Sequence, residues 1–377
     1  MQWNPNLFRK EGNAKGYDAA YLNALVSQGR VTAARGLPVV FSLAHLANLS
    51  RTLYADLHGF VSRAGIDYPD FPYKNFPIAK RTGGKRWISI PVPQLMAVQQ
   101  WINQNILNKV APHPAAFAYV PKRRLIDHAK LHCGADWILK IDIKDFFSNI
   151  SEKQVFHIFV NLGYPSLLSF EMARICTRVT PMRKGRRWVN SFKEHSISNY
   201  DSEFVGSLPQ GAPTSPALSN LVCAEMDEDL ASLASAHSVT YSRYADDLCF
   251  SFVDGSRDLV FKFQREAATI LRKHGFSENG KKTKIIPPGG RKTVTGLNIN
   301  SEKPTIPKEV RDVIKMHLHY AQKNGIHEHC KNRKFNSVIG FKNHLFGLIS
   351  YVRSVDKKKG EKFREQFNLL PWVDFES

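Results

Sequence analysis

Apolar positions recur at two different periods along this chain, and the alternation between the periods maps its elements. In Val40 to Leu49 and Leu53 to Val61 they fall at helical spacing, which predicts a helical N-terminal extension over residues 1–70. From Phe76 the pattern shortens. Phe76-Pro77-Ile78-Ala79 and Arg86-Trp87-Ile88-Ser89-Ile90 flank Thr82-Gly83-Gly84-Lys85, whose paired glycines supply the turn of a basic hairpin. Helical spacing returns in Pro93 to Val110, where Leu95, Val98, Ile102 and Ile106 form a core stripe that ends at Ala111-Pro112-His113-Pro114. Trp137 to Ile141 is an apolar run of strand length, and Tyr241 to Phe252 reads as two strands around a tight turn. Beyond Asn300, Pro307 to Lys323 and Phe335 to Arg353 are helical again, with Val338, Phe341, Leu345 and Leu348 on one face. No repeat or low-complexity tract interrupts the series, so a continuously folded α/β (α+β) chain is predicted.

Composition narrows the partners. A chain of 377 residues with 43% hydrophobic content can bury a core shared by two or three subdomains around one functional centre. The formal net charge of +20 favours a polyanion, with nucleic acid as the default. There is no apolar run of membrane-spanning length and no signal peptide at Met1-Gln2-Trp3-Asn4, so the expectation is a cytoplasmic protein with no membrane partner. Residues 71–140 carry eleven Lys or Arg against two Asp, with Tyr73, Phe76, Trp87 and Tyr119 interleaved. Such a surface suits phosphate contacts and base stacking along a template, against the plainer alternative of a solvated basic face. Arg174 to Lys193 holds seven Lys or Arg and no acid, without apolar periodicity, and is expected to be an exposed loop touching nucleic acid. Cys133, Cys176, Cys223, Cys249 and Cys330 form no CxxC pair and read as reduced, mostly buried residues. His317, His319, His327, His329 and Cys330 lie in a polar helical region and lack the usual zinc spacing.

The chemistry concentrates in two segments. Trp137-Ile138-Leu139-Lys140-Ile141-Asp142 delivers an aspartate at the end of a strand, followed by Phe146 and Phe147. Tyr244-Ala245-Asp246-Asp247 sets adjacent carboxylates in an otherwise apolar hairpin, where each desolvated charge needs a partner. If the strands lie side by side, Asp142, Asp246 and Asp247 make a platform for two Mg²⁺ ions about 3.5–4 Å apart, the arrangement that suits phosphoryl transfer. Taken singly, each motif is more simply a solvated turn or strand end.

As an ordered set, these motifs resemble the palm of the reverse transcriptases. The resemblance implies a right-hand polymerase fold with fingers, a palm of antiparallel sheet plus helices, and a helical thumb. It assigns residues 71–135 with part of 155–205 to the fingers, 136–300 to the palm and 301–377 to an RNA-binding thumb. It also implies deoxynucleoside triphosphate substrates and roles for further residues. Ser207 to Asn220 resembles the Gly/Pro-rich loop of the family, so Gln210 and Gly211 inherit contacts to the nucleotide and template; Ser215 reads as the N-cap of the helix that follows, with Pro216 at its first position. Phe147 stands five residues after Asp142, at the place of the steric gate that excludes a 2′-OH. Glu278 to Lys284 resembles the next palm motif, with Lys282 near the triphosphate. In the fingers, Lys80, Arg81, Lys85 and Arg86 resemble the basic nucleotide-contacting hairpin, with Lys85 or Arg86 as the clamp.

Two segments resemble the retron reverse transcriptases more narrowly. His128-Ala129-Lys130-Leu131-His132 stands where retrons carry Asn-Ala-x-x-His, with His128 in place of the asparagine. Val294-Thr295-Gly296 matches the retron Val-Thr-Gly signature in full. The resemblance implies RNA or primer contacts for His128, His132, Val294, Thr295 and Gly296. The thumb adds Arg333, Lys334, Lys342 and Arg353 in a region of fifteen basic against nine acidic residues, a balance that suits an RNA stem-loop. A retron enzyme is expected to start DNA synthesis from a 2′-OH of a cognate structured noncoding RNA, giving RNA-linked DNA. It is also expected to work in anti-phage defence with a separate effector protein or as a homo-oligomer. Other readings are a group II intron-like or other defence-associated reverse transcriptase, or a catalytically silent RNA-binding scaffold. About eighty residues after the palm favour a thumb over an added maturase and endonuclease region, and three intact aspartates oppose the scaffold.

Overall fold

A computed structural model of the chain describes residues 3–63, 72–79, 83–179 and 205–372. Four helices open it: α1 Pro5–Ala14, α2 Ala19–Ala34, α3 Leu43–Ser50 and α4 Tyr54–Ser62. Asn4, Asp18 and Ser42 cap the first three by accepting from backbone N–H groups of the first turn. There follow β1 Tyr73–Ala79, β2 Lys85–Pro91, α5 Pro93–Asn105, α6 Leu125–Lys130, β3 Trp137–Asp142, α7 Glu152–Asn161 and α8 Ser166–Cys176. The middle of the chain carries α9 Ser215–Val222, α10 Ala224–Ala236, β4 Thr240–Tyr244, β5 Asp247–Phe252, α11 Arg257–Lys273 and β6 Lys284–Ile286. After the short pair β7 Thr293–Val294 and β8 Leu297–Asn298 come α12 Lys308–Asn324, α13 Ile326–Asn332, α14 Val338–Val355 and α15 Lys357–Asn368.

The chain divides into two compact units that interleave in sequence. The first holds residues 1–120, 143–230 and 268–279. Its β1–β2 hairpin runs antiparallel from Tyr73 opposite Pro91 to Ala79 opposite Lys85. The stripe Leu95, Val98, Ile102 and Ile106 is fully buried. Within the same unit Glu152, itself buried, accepts from Gly206 N at 3.0 Å and from Thr177 Oγ1 at 3.1 Å, pairs with Arg63, and lies 3.5 Å from Arg174 Nε. Arg174 is therefore a buried structural cation on α8, not the start of an exposed loop. A guanidinium reads as surface in sequence, but a carboxylate partner lets it go inside. Residues 180–193 of the expected basic loop lie outside the described residues, as do Lys80, Arg81 and Thr82. A second correction concerns α9. Thr214 holds the N-cap position, while Ser215 begins the helix and turns its hydroxyl to donate to Pro209 O at 2.7 Å.

The second unit holds residues 121–142, 231–267 and 280–377. It is built on a four-stranded antiparallel sheet in the order β4-β5-β3-β6. Strand alternation sorts that sheet into two faces. Leu139, Ile141, Leu248 and Phe250 occupy one face, where Phe250 stacks on Tyr241 across the strand pair at 4.8 Å and packs on Phe263 of α11 at 5.1 Å. Ile138 and Cys249, on the other face, join a buried cluster with Ala129 of α6, Val294 of β7, Leu297 of β8 and the inner sides of α12, α14 and α15. In that cluster His317 Nδ1 and His329 Nε2 hydrogen-bond one another at 2.8 Å, and burial lowers His317 to about 4. Among the described residues no helix is long and apolar enough to cross a membrane.

Candidate active site

Asp142 is the last residue of β3 and stands opposite Asp247, the first residue of β5. Directly opposed residues on one sheet face bring their Cβ atoms within about 4.5–5.5 Å. Tyr244 pairs with Asp247 on the other side, leaving Ala245 and Asp246 as the turn. Ala245 lies in the left-handed region at φ 56, a conformation that suits glycine and costs an alanine roughly 1 kcal/mol. Arg243, fully buried on the opposite face, donates Nη1 to the Ala245 carbonyl at 3.2 Å and helps to hold the turn in that state.

The electrostatics of the three carboxylates follow from this packing. Asp247 is exposed at one side of the turn, yet its carboxyl is enclosed enough that desolvation raises its pKa, and Asp246 and then Asp142 push it further. Lys140, two residues before Asp142 on the same face, and Lys282 oppose that rise. Lys282 Nζ lies 2.7 Å from Asp142 Oδ2, and this bond raises the lysine. A buried carboxylate facing a second and adjoining a third is an electron-rich site that attracts cations. Among the described residues no three His, Cys, Asp or Glu side chains already close into a metal cage. The donor set still fits Mg²⁺, which keeps several waters and needs only one or two carboxylates plus substrate phosphates.

His128 and His132 lie under this hairpin, not on the surface. Their exposures are 1% and 0%, which corrects the expectation that they contact RNA. His132 Nε2 lies 2.6 Å and His128 Nε2 2.7 Å from Ser242 Oγ on β4, and His132 Nδ1 lies 2.8 Å from Ser251 Oγ on β5. Burial, with Lys140 adding to it, lowers His128 to about 4 and, with His128 and Lys140 adding, lowers His132 to about 3. Both rings are therefore neutral near pH 7. Val294 is likewise corrected: at 1% exposure it is core. Only Thr295 and Gly296, at φ 47 and φ 82, form the tip of the β7–β8 hairpin, and Tyr351 Oη donates to Gly296 O at 3.2 Å.

Apart from Lys282, which belongs to the second unit, the residues expected to meet the nucleotide belong to the first. Gln210 O accepts from Ser89 N of β2 at 2.7 Å, tying the loop to the basic hairpin. Gly211 has φ 119, and a Cβ there would stand 2.8 Å from Ile88 Cγ2 and 2.9 Å from Ser89 O, so any larger residue would push the loop off the strand. Arg178 Nη1 completes the latch by donating to Asn75 Oδ1 at 2.6 Å and Ser89 Oγ at 2.8 Å. Phe146 is core, whereas Phe147 remains half-buried, 6.4 Å from the ring of Tyr119. Lys85 and Arg86 are exposed on β2. In the second unit Arg333, Lys334, Lys342 and Arg353 are all exposed; Lys342 lies over the Trp372 ring at 5.4 Å, and Arg353 reaches Glu361 at 3.9 Å. Ser242, Ser251 and Arg243 are the contributors that the sequence reading missed. For the two serines the signal was a polar residue in phase with Asp247 along an otherwise apolar hairpin; Arg243, on the opposite face, breaks that alternation.

The sequence profile of the family described as reverse transcriptase (RNA-dependent DNA polymerase) matches residues 78–315. The retron Ec86 reverse transcriptase of Escherichia coli is 31% identical over 336 residues, covering 86% of this chain and 93% of that protein. The retron Mx162 reverse transcriptase of Myxococcus xanthus is 29% identical, covering 89% and 68% respectively. A foamy viral protease-reverse transcriptase, solved in complex with double-stranded DNA, aligns with a TM-score of 0.40 and 16% identity over 79% of this chain and 38% of that one.

Proposed function

Because this chain belongs to the reverse transcriptase family and, within it, to the retron enzymes, we propose that its RNA-directed DNA synthesis runs on Asp142, Asp246 and Asp247. The observation that carries the proposal is the register that sets Asp142 opposite Asp247, with Asp246 in the adjoining turn. Two Mg²⁺ ions, when bound, supply the activation of the attacking hydroxyl and the stabilisation of the leaving pyrophosphate. The carboxylates hold them, and the raised Asp247 is the group whose ionisation limits loading at low pH. Gln210 and Gly211 hold the incoming deoxynucleotide against the template. Phe147 closes the space a 2′-OH would need, a selection by shape that requires no hydrogen bond. Lys85, Arg86 and Lys282 meet the triphosphate, as a fork and point charges respectively suit phosphate oxygens.

In this reading a 2′-OH of a cognate folded noncoding RNA attacks the first deoxynucleotide and gives RNA-linked single-stranded DNA. Thr295, Gly296 and the exposed basic residues Arg333, Lys334, Lys342 and Arg353 grip that RNA and its DNA product. The biological setting is anti-phage defence in the cytoplasm, with a separate effector protein or as a homo-oligomer. Sequencing of the nucleic acid that co-purifies with the chain tests the priming. A short DNA joined to a structured RNA is the expected product; free long cDNA from varied templates would overturn it. The chemistry is tested by an Asp246→Asn/Asp247→Asn protein, which should make no DNA on a primed RNA.

A further inference from the structure

We propose that His128 and His132, through Ser242 and Ser251, are positioning residues that set the pitch of the catalytic hairpin; this rests on Asp246 and Asp247 being its reacting carboxylates. The two serines lie on different arms of that hairpin. Ser242 is two residues before Tyr244 on β4, and Ser251 is four residues after Asp247 on β5. Ser242 pairs with Cys249, and Thr240 with Ser251, so both hydroxyls stand on the face that carries Asp247. His132 contacts one with each ring nitrogen, at 2.6 Å and 2.8 Å, and so spans the two arms. His128 shares the Ser242 hydroxyl at 2.7 Å and stacks its ring on Tyr244, with centroids 5.5 Å apart and planes inclined by 28°.

Ordinary packing does not require this arrangement. A hydroxyl has one proton, so Ser242 donates to at most one imidazole and must accept N–H from at least one of the two. With both rings neutral, the tautomer of His132 is coupled to that of His128, and the contacts through Ser242 and Ser251 allow few proton arrangements. A buried network that is satisfied in so few ways specifies one geometry of the strands it joins. The turn needs such fixing. Its alanine is held in the left-handed region, a state that persists only where the surroundings over-determine it. Arg243 fixes the Ala245 carbonyl from the opposite face, and the His128 ring bears on Tyr244 from this one. Carboxylates that must share ions tolerate little misplacement.

Steady-state kinetics on a primed RNA template with the full chain test the proposal. Ser242→Ala deletes a hydroxyl with little loss of volume, and His132→Asn keeps the reach of Nδ1 while losing Nε2. Both should lower kcat by about tenfold to a hundredfold, with KM for deoxynucleotide and Kd for RNA changed by less than about twofold. Ser251→Ala, farther from the turn, should lose less. His128→Asn/Ser242→Ala should lose less than the product of the two single losses, because both substitutions break the shared His128–Ser242 contact while only His128→Asn also removes the stack on Tyr244. Full kcat in Ser242→Ala overturns the proposal. So does weakened RNA binding with kcat intact, which would make these residues RNA contacts, or equal losses of kcat and melting temperature in Ser242→Ala and Ser251→Ala, which would make them plain structural groups. Asp247→Asn separates this proposal from the catalytic reading. If Asp247→Asn is inert and Ser242→Ala is fully active, only the positioning proposal fails; if Asp247→Asn still makes DNA, the catalytic reading itself fails.

Discussion

The two faces of the four-stranded sheet are made by the same strands and differ in almost everything else. On one, Leu139, Ile141, Leu248 and Phe250 pack against each other and against α11. On the other, Asp142, Lys140, Asp247, Ser242 and Ser251 stand at alternating positions of the same backbone, several of them as deeply buried as the apolar set. Stability on the first face comes from area removed from water and is insensitive to pH. The second face also gives Ile138 and Cys249 to the apolar cluster, but order around its carboxylate end comes from directed bonds, which fail if the histidines that make them change protonation. A strand of period two thus carries both duties without compromise. The exception is Arg243, a charge on the apolar face whose bond to the Ala245 carbonyl ties that side to the carboxylate turn.

The widest separation of the faces is expected from Asp142→Asn. It should cut single-turnover DNA synthesis by about a thousandfold while the urea midpoint stays close to that of the parent. Phe250→Ala, one face away, should do the reverse: a loss of about 3–5 kcal/mol in stability measured by denaturant unfolding, with residual activity proportional to the folded fraction. A smaller effect is reserved for pH. His128 and His132 are held near 4 and 3 in the folded chain, below their ordinary 6.5, so the unfolded chain takes up protons first. The stability linked to both rings staying neutral is complete above about 6.5 and is lost progressively as pH falls from there through the folded values. A pH series of thermal melts should show that slope, and a His128→Gln/His132→Gln double variant should flatten it. Smallest is Lys140→Met. Removing this cation lets Asp247 rise further, so the acidic limb of the pH–rate profile should move towards higher pH.

Much of this site was legible in the order of residues. Adjacent carboxylates inside an apolar hairpin, preceded by a strand that ends in aspartate, predict side-by-side strands, and Asp142 does stand opposite Asp247. Illegible was the direction in which the flanking residues face. His128, His132 and Val294 were assigned to RNA because a motif gives location along the chain; their burial depends on partners more than a hundred residues away in sequence, such as Ser242 for the two histidines. Arg174 read as the start of an exposed loop, since a guanidinium goes inside only when a distant acceptor is folded against it. Ser215 looked like a helix cap because serine favours that role, yet its hydroxyl had a better acceptor in Pro209 O.

The Lys282–Asp142 pair gives the enzyme a way to idle. With an ammonium group at 2.7 Å the buried carboxylate is already neutralised, so ion loading exchanges one cation for another and does not rescue a bare charge. Under the proposed chemistry, protein stripped of divalent ions should therefore keep this hairpin folded and regain activity when magnesium is returned.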